Sequence, residues 1–287
     1  MCFSLGASLS AFLAALTATG WTFGVVLDRL ANDGGFERAD AQVSVLLLSF
    51  CLLVALVQLV DAIAHINNRA GHCVVPKEVV AVAGYVLIFC QPLALAVIAA
   101  MVAPMGWSIP AALAALVALH VVLCLSLDAP LSAWLYVDVV HITDEPVGIC
   151  AVVYGFFTPS KGYANNDAFY GSTARYYAYF ATLASSALLL ALSLIARLND
   201  SDNDYARRNL VAWLAFVGVS FVGLLVAGGL AQVPGHGGSV WCLVSNGATI
   251  VACAILQSVL GLDVAALFAA GVVVLWASVF ALAQCIS

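Results

Sequence analysis

Between Val43 and His65 the chain reads VSVLLLSFCLLVALVQLVDAIAH, and this stretch constrains the fold more than any other. It supplies the roughly 20 mainly apolar residues that a helix needs to cross the hydrocarbon of a bilayer. Ser44, Cys51 and Gln58 recur every seventh residue, and Asp61 and His65 continue the row at helical spacing, so all five share one side of a helix. A carboxylate in hydrocarbon costs a few kcal/mol unless it is paired or protonated. The row is therefore expected to face other helices. There it either lines a functional interior or acts as a polar clasp between helices.

Comparable apolar runs recur along the chain, giving eight candidate crossings at 5–27, 43–66, 79–103, 107–125, 174–197, 208–231, 239–260 and 263–285. Only 8% of residues are charged and 64% are hydrophobic, with a mean hydropathy of +1.10. About a quarter of a soluble chain is charged. The expected fold class is an all-α polytopic membrane helix bundle of seven or eight transmembrane helices, forming a single integral membrane domain over 1–287. Gly261-Leu262-Asp263 alone divides the last two runs, so one long broken helix is the alternative to two crossings there. Met1–Leu27 lacks the basic start and small-residue cleavage site of a secretory signal and reads as a retained span. It also holds Gly20-xxx-Gly24, a close-packing pattern for helices in lipid.

The connector 126–173 is long and rich in aromatic and β-branched residues. Ser132–Ile142 and Val147–Phe157 flank the turn signal Thr143-Asp144-Glu145-Pro146, which predicts a β-hairpin lid between spans four and five; a re-entrant helix is the alternative. Tyr176, Tyr177 and Tyr179 are expected to form an interfacial aromatic belt at the start of span five.

Eight crossings alternate the connectors between two membrane faces. The N-terminus, 66–78, the 126–173 lid, 232–238 and the C-terminus then share one face, the lid face. All five histidines, His65, His72, His120, His141 and His236, fall on it or in its half of a span, together with Asp61, Cys2, Cys73 and Cys242. Histidine, carboxylate and thiolate are ligands for zinc and similar metals, and a carboxylate near histidine can do acid–base work. His65 and His120 are the candidate metal ligands, with zinc the candidate cofactor, and His141 is a candidate binding residue. Against this, histidines gather at membrane interfaces simply because they are polar, and no HxxxH, HExxH or HxxE spacing places two ligands on one helix turn. Asp61 and His65, at i and i+4, also suit an ordinary intrahelical pair. The nine cysteines form no CxxC motif.

The net charge of −6 comes with no Lys/Arg run, which argues against nucleic acid as a partner and leaves membrane lipid as the expected one. No nucleotide-binding loop or kinase motif is present. Both lysines, Lys77 and Lys161, lie in connectors, which excludes a retinal Schiff base inside a span. Arg69, Lys77, Lys161 and Arg175 sit on the lid face, against Arg29, Arg38, Arg197, Arg207 and Arg208 opposite, which leans towards a lid face outside the cytoplasm.

Met1-Cys2-Phe3-Ser4 at the first span, Gln58-xx-Asp61 in the second and Ser239-Val240-Trp241-Cys242 opening a late one resemble a family of multipass membrane proteins of unknown function. Its members, from bacteria, algae and large DNA viruses, begin Met-Cys-Phe-Ser and carry Gln-xx-Glu where this chain has Asp61. The run at 263–285 departs from the family pattern. The resemblance brings no activity, but it marks Cys2, Gln58, Asp61, Trp241 and Cys242. With the threading, it makes Cys2, Gln58 and Asp61 the candidate catalytic residues and Trp241 and Cys242 candidate binding residues. Cys2 and Cys242 are expected close together at the mouth of the bundle, bridged if that face is oxidising. The architecture is also similar to that of seven-span zinc-dependent lipid hydrolases such as alkaline ceramidases, without their paired-histidine signature. The function expected is therefore a polar Cys/His/Asp site at one leaflet, serving a metal- or thiol-dependent lipid hydrolase. A transporter or channel, whose polar stripe would continue across the bilayer, and a structural membrane protein are the alternatives.

Overall fold

The computed structural model describes residues 4–32, 38–70, 74–103, 137–141, 150–154, 173–200, 204–229, 236–260 and 271–273. Its long helices are α1 (Leu5–Asn32), α2 (Arg38–Ala70), α3 (Lys77–Val102), α4 (Thr173–Asn199), α5 (Asp204–Gly229) and α6 (His236–Val259). Between α3 and α4 lie two strands, β1 (Val137–His141) and β2 (Cys150–Tyr154). They pair antiparallel, with Val139 opposite Val152 and His141 opposite Cys150, inside the two segments where the sequence shows strand composition. The candidate crossing 107–125 lies outside the described residues, as does 263–285 apart from a helical turn at 271–273.

Local chemistry explains the helix ends. The Ala7 N–H donates to Ser4 Oγ at 3.1 Å, so the last residue of Met-Cys-Phe-Ser is the N-cap of α1. Arg29, Arg69 and Arg197 occupy the last turns of α1, α2 and α4, where a cation complements the helix dipole. At the turn into α3, Asn67 ties the chain back to the end of α2: its Nδ2 donates to the Val75 carbonyl at 2.7 Å, and its Oδ1 accepts from the N–H groups of Val74 and Val75 at 2.9 and 3.1 Å. Pro76 precedes α3 with an extended ψ, and Glu78 stands in its first turn.

Each helix packs on its chain neighbour, and α6 returns to α1, so the six close a ring. Helix α2 also touches α5, α6 and both strands, and it holds the largest buried share of any candidate span. The stretch that dominates the sequence is therefore the central post of the bundle. Gly223 lets α5 and α6 meet closely, since a Cβ there would fall within the Val244 side chain, 2.9 Å from its Cβ. Gly20 and Gly24, by contrast, have nothing within 4 Å of a Cβ position among the described residues, so no described helix uses that pair for close packing.

The burial pattern is inverted relative to a water-soluble protein. Asp61, Gln58, Ser44, Asn209 and Gln257 are completely buried, while Val86, Met101, Val219 and Val222 stand more than half exposed on helix flanks. In water this arrangement would waste the hydrophobic effect; in lipid it satisfies the polar groups and leaves apolar ones facing acyl chains.

Candidate functional site

The row on α2 is buried along its whole length: Ser44, Gln58 and Asp61 have no exposed surface, Cys51 1% and His65 4%. Two levels of the row, at Ser44 and Cys51, meet polar residues from other helices. At the start of α2, the Ser44 hydroxyl donates to Asn209 Oδ1 at 3.2 Å and accepts from Trp213 Nε1 at 3.2 Å, both on α5. Ser44 lies near the beginning of α2 and Asn209 near that of α5, so these helices start at the same end of the bundle.

One level deeper, Cys51 faces Cys253 of α6 and reaches Thr249, while Cys253 lies beside Thr22 and Thr19 of α1. Both cysteines are free thiols. Gln257 Nε2 donates to Thr22 Oγ1 at 2.8 Å, and the Thr22 hydroxyl in turn donates to the Ala18 carbonyl at 2.8 Å. Ser245, Asn246 and Thr249 extend the polar face of α6, all at most 2% exposed. Gln58, Asp61 and His65 complete the row. Asp61 and His65, four residues apart on one helix, share a face at neighbouring turns.

Sequence reasoning identified the α2 row but not its partners. The α6 residues were hidden because they are small or uncharged and sit among Ala, Ile and Val, and Asn209 and Trp213 because they sit at the start of a span. The signal was available: Ser245, Thr249, Cys253 and Gln257 recur at four-residue steps. Tyr179 was expected in an aromatic belt and is instead 3% exposed, its hydroxyl donating to Gln91 Oε1 at 3.1 Å and its ring edge-on to Phe180. It clasps α4 to α3, because a tyrosine one turn inside a helix can reach a buried amide.

Of the other predicted site residues, Cys2 and His120 lie outside the described residues, as do His72 and Cys73. His141 is placed by its backbone, paired with Cys150, and Trp241 and Cys242 lie in the second turn of α6; their side chains lie outside the described ones. The expected proximity of Cys2 to Cys242 thus lies outside the described residues. Among the described residues, no group of three or more His, Cys, Asp and Glu side chains comes together to hold a metal ion.

Among the described residues, five helices are long and apolar enough to cross a membrane, Leu5–Asn32, Ala41–Ala70, Lys77–Val102, Tyr179–Asn199 and Ala206–Val226. Together with the inverted burial, they make this a multi-pass membrane helix bundle. No protein-family model matches the chain, and neither does any curated protein or solved structure.

Proposed function

We propose that this protein carries protons across the membrane along the inner face of α2, with Asp61 as the group that takes up and releases them. The observation that carries this reading is the near-complete burial of the row from Ser44 to His65, with polar residues of α5 against Ser44 and of α6 against Cys51. At a rise of about 1.5 Å per residue the row extends about 32 Å, matching the roughly 30 Å of a bilayer core. A one-leaflet site needs polar residues only in its own half. A row of this length favours passage over a site confined to one leaflet.

The parts suit proton exchange. A carboxyl inside a membrane bundle is expensive to keep charged and marks proton relays in pumps and transporters. His65 lies one turn away, and an imidazole can both accept and donate a proton through its two ring nitrogens. Beyond Gln58, the hydroxyls, thiols and amides of Cys51, Thr249, Cys253, Thr22 and Gln257 continue towards Ser44 and Asn209. In this proposal the bundle has seven or eight crossings, with 107–125 and 263–285 completing it. The β1–β2 hairpin covers the His65 end as a lid. A metal- or thiol-dependent lipid hydrolase draws no support from the described geometry, and zinc enters no part of the proposal.

The test is proton flux in proteoliposomes under an imposed potassium diffusion potential, read with an internal pH dye. Wild-type protein should acidify or alkalinise the lumen faster than empty vesicles, and Asp61→Asn should fall to the empty-vesicle rate while retaining the wild-type elution profile. Wild-type flux no greater than that of empty vesicles would overturn the proposal. So would an Asp61→Asn protein that conducts as well as wild type; in that case the row is a clasp.

A further inference from the structure

The outer face of α1 carries a groove that the proton path does not use. Its volume is about 630 Å³, and its lining includes Gly20, Trp21, Gly24, Asp28, Arg29 and Asn32. Gly20 to Asn32 cover about 18 Å along the helix axis. The groove changes character along that length. Around Gly20 and Gly24 it is open, with nothing within 4 Å of either Cβ position among the described residues, and Trp21 stands 58% exposed beside it. One to two turns further on come an acid, a base and an amide, past the end of the apolar run at Leu27.

A glycine pair of this kind can also receive another helix. Trp21 argues against that here, because a large exposed ring next to the glycines holds a second backbone away. The charged end would also bury Asp28 and Arg29 in a helix contact. An amphipathic groove whose apolar part lies in the hydrocarbon and whose ionic part lies at headgroup depth matches a lipid instead.

We propose that this groove binds a zwitterionic phospholipid whose headgroup carries a primary ammonium, as phosphatidylethanolamine does. One acyl chain lies over Gly20 and Gly24, in space that any larger side chain would fill. The Arg29 guanidinium takes the phosphate, a pairing with good geometry for charge-assisted hydrogen bonds. Asp28 takes the ammonium. Asp28 and Asn32 both line the groove, and the Asn32 amide donates to Asp28 Oδ1 at 2.8 Å, which leaves the carboxylate acceptor capacity for further donors. A choline headgroup has no N–H to give and loses this contact.

Purified full-length protein titrated with phosphatidylethanolamine, phosphatidylcholine or phosphatidylglycerol of the same acyl chains, with retained lipid read by native mass spectrometry, tests the assignment. Retention of the ethanolamine lipid should exceed that of the choline lipid by about five-fold, the worth of one net hydrogen bond. Asp28→Asn should erase that difference while keeping both lipids bound, and Gly24→Leu should reduce both. Equal retention of the two lipids by wild type would overturn the proposal, as would preference for the glycerol lipid or an Asp28→Asn protein that still discriminates. If Gly24→Leu instead leaves lipid bound and abolishes a dimer, the face belongs to a second copy and the proposal fails. None of these readings depends on proton flux.

Discussion

Replacing Ser44 by alanine should destabilise the bundle by about 2 kcal/mol, and the reason is what the serine leaves behind. Its hydroxyl is the hub between α2 and α5, giving one hydrogen bond to Asn209 and taking one from Trp213, each at 3.2 Å. At that length, near the outer limit for such bonds, each contributes at the low end, about 0.5–1 kcal/mol, and interhelical bonds in membranes average about 0.6. The larger cost is the Trp213 indole N–H, stranded in a site where the ring is 1% exposed. A buried donor without its acceptor costs about 1–3 kcal/mol. Trp213→Phe removes the same bond without stranding anything, and a phenyl ring can keep the edge-to-face contact with Phe216. In the double variant the stranded N–H no longer exists, so the two substitutions should be non-additive by about 1 kcal/mol. Reversible unfolding in mixed detergent micelles, applied to the four proteins of the cycle, measures this directly. Independent sites add to within about 0.3–0.5 kcal/mol; additivity of that quality here would refute the hub.

Two further substitutions probe the packing that holds the row in place. Asn67→Ala removes three hydrogen bonds at the α2–α3 turn; a local loss of about 1.4 kcal/mol should speed protease cleavage between these helices about ten-fold, and an unchanged rate would show that the turn stands without Asn67. Gly223→Ala should lower the melting temperature in detergent by overpacking Val244, at a cost of about 1–3 kcal/mol, and Val244→Ala in the same chain should restore it; failure of that rescue would place the cost elsewhere.

How much of this was written in the sequence depends on whether the relevant physics is local. Hydropathy is additive along the chain, so runs of about 20 apolar residues located α1, α2, α3 and three later helices without any contact information. The spacing of Ser44, Cys51, Gln58, Asp61 and His65 gave the buried side of α2, because helical periodicity decides which residues share a face. Turn and strand composition around residues 143–146 likewise located β1 and β2, whose pairing is between near neighbours in sequence. What faces what was not local. That Ser44 meets Asn209 and Trp213, that Gln257 meets Thr22, and that Tyr179 turns inward to Gln91 are contacts across separations of 88 to 235 residues. No pattern within one helix encodes the rotation of another. The α2 row looked one-sided in the sequence because its polar residues crowd towards Asp61 and His65. Only the ring of helices, bringing α5 and α6 against α2, supplies the polar partners of Ser44 and Cys51, since each polar group in lipid must find its partner on a neighbouring helix.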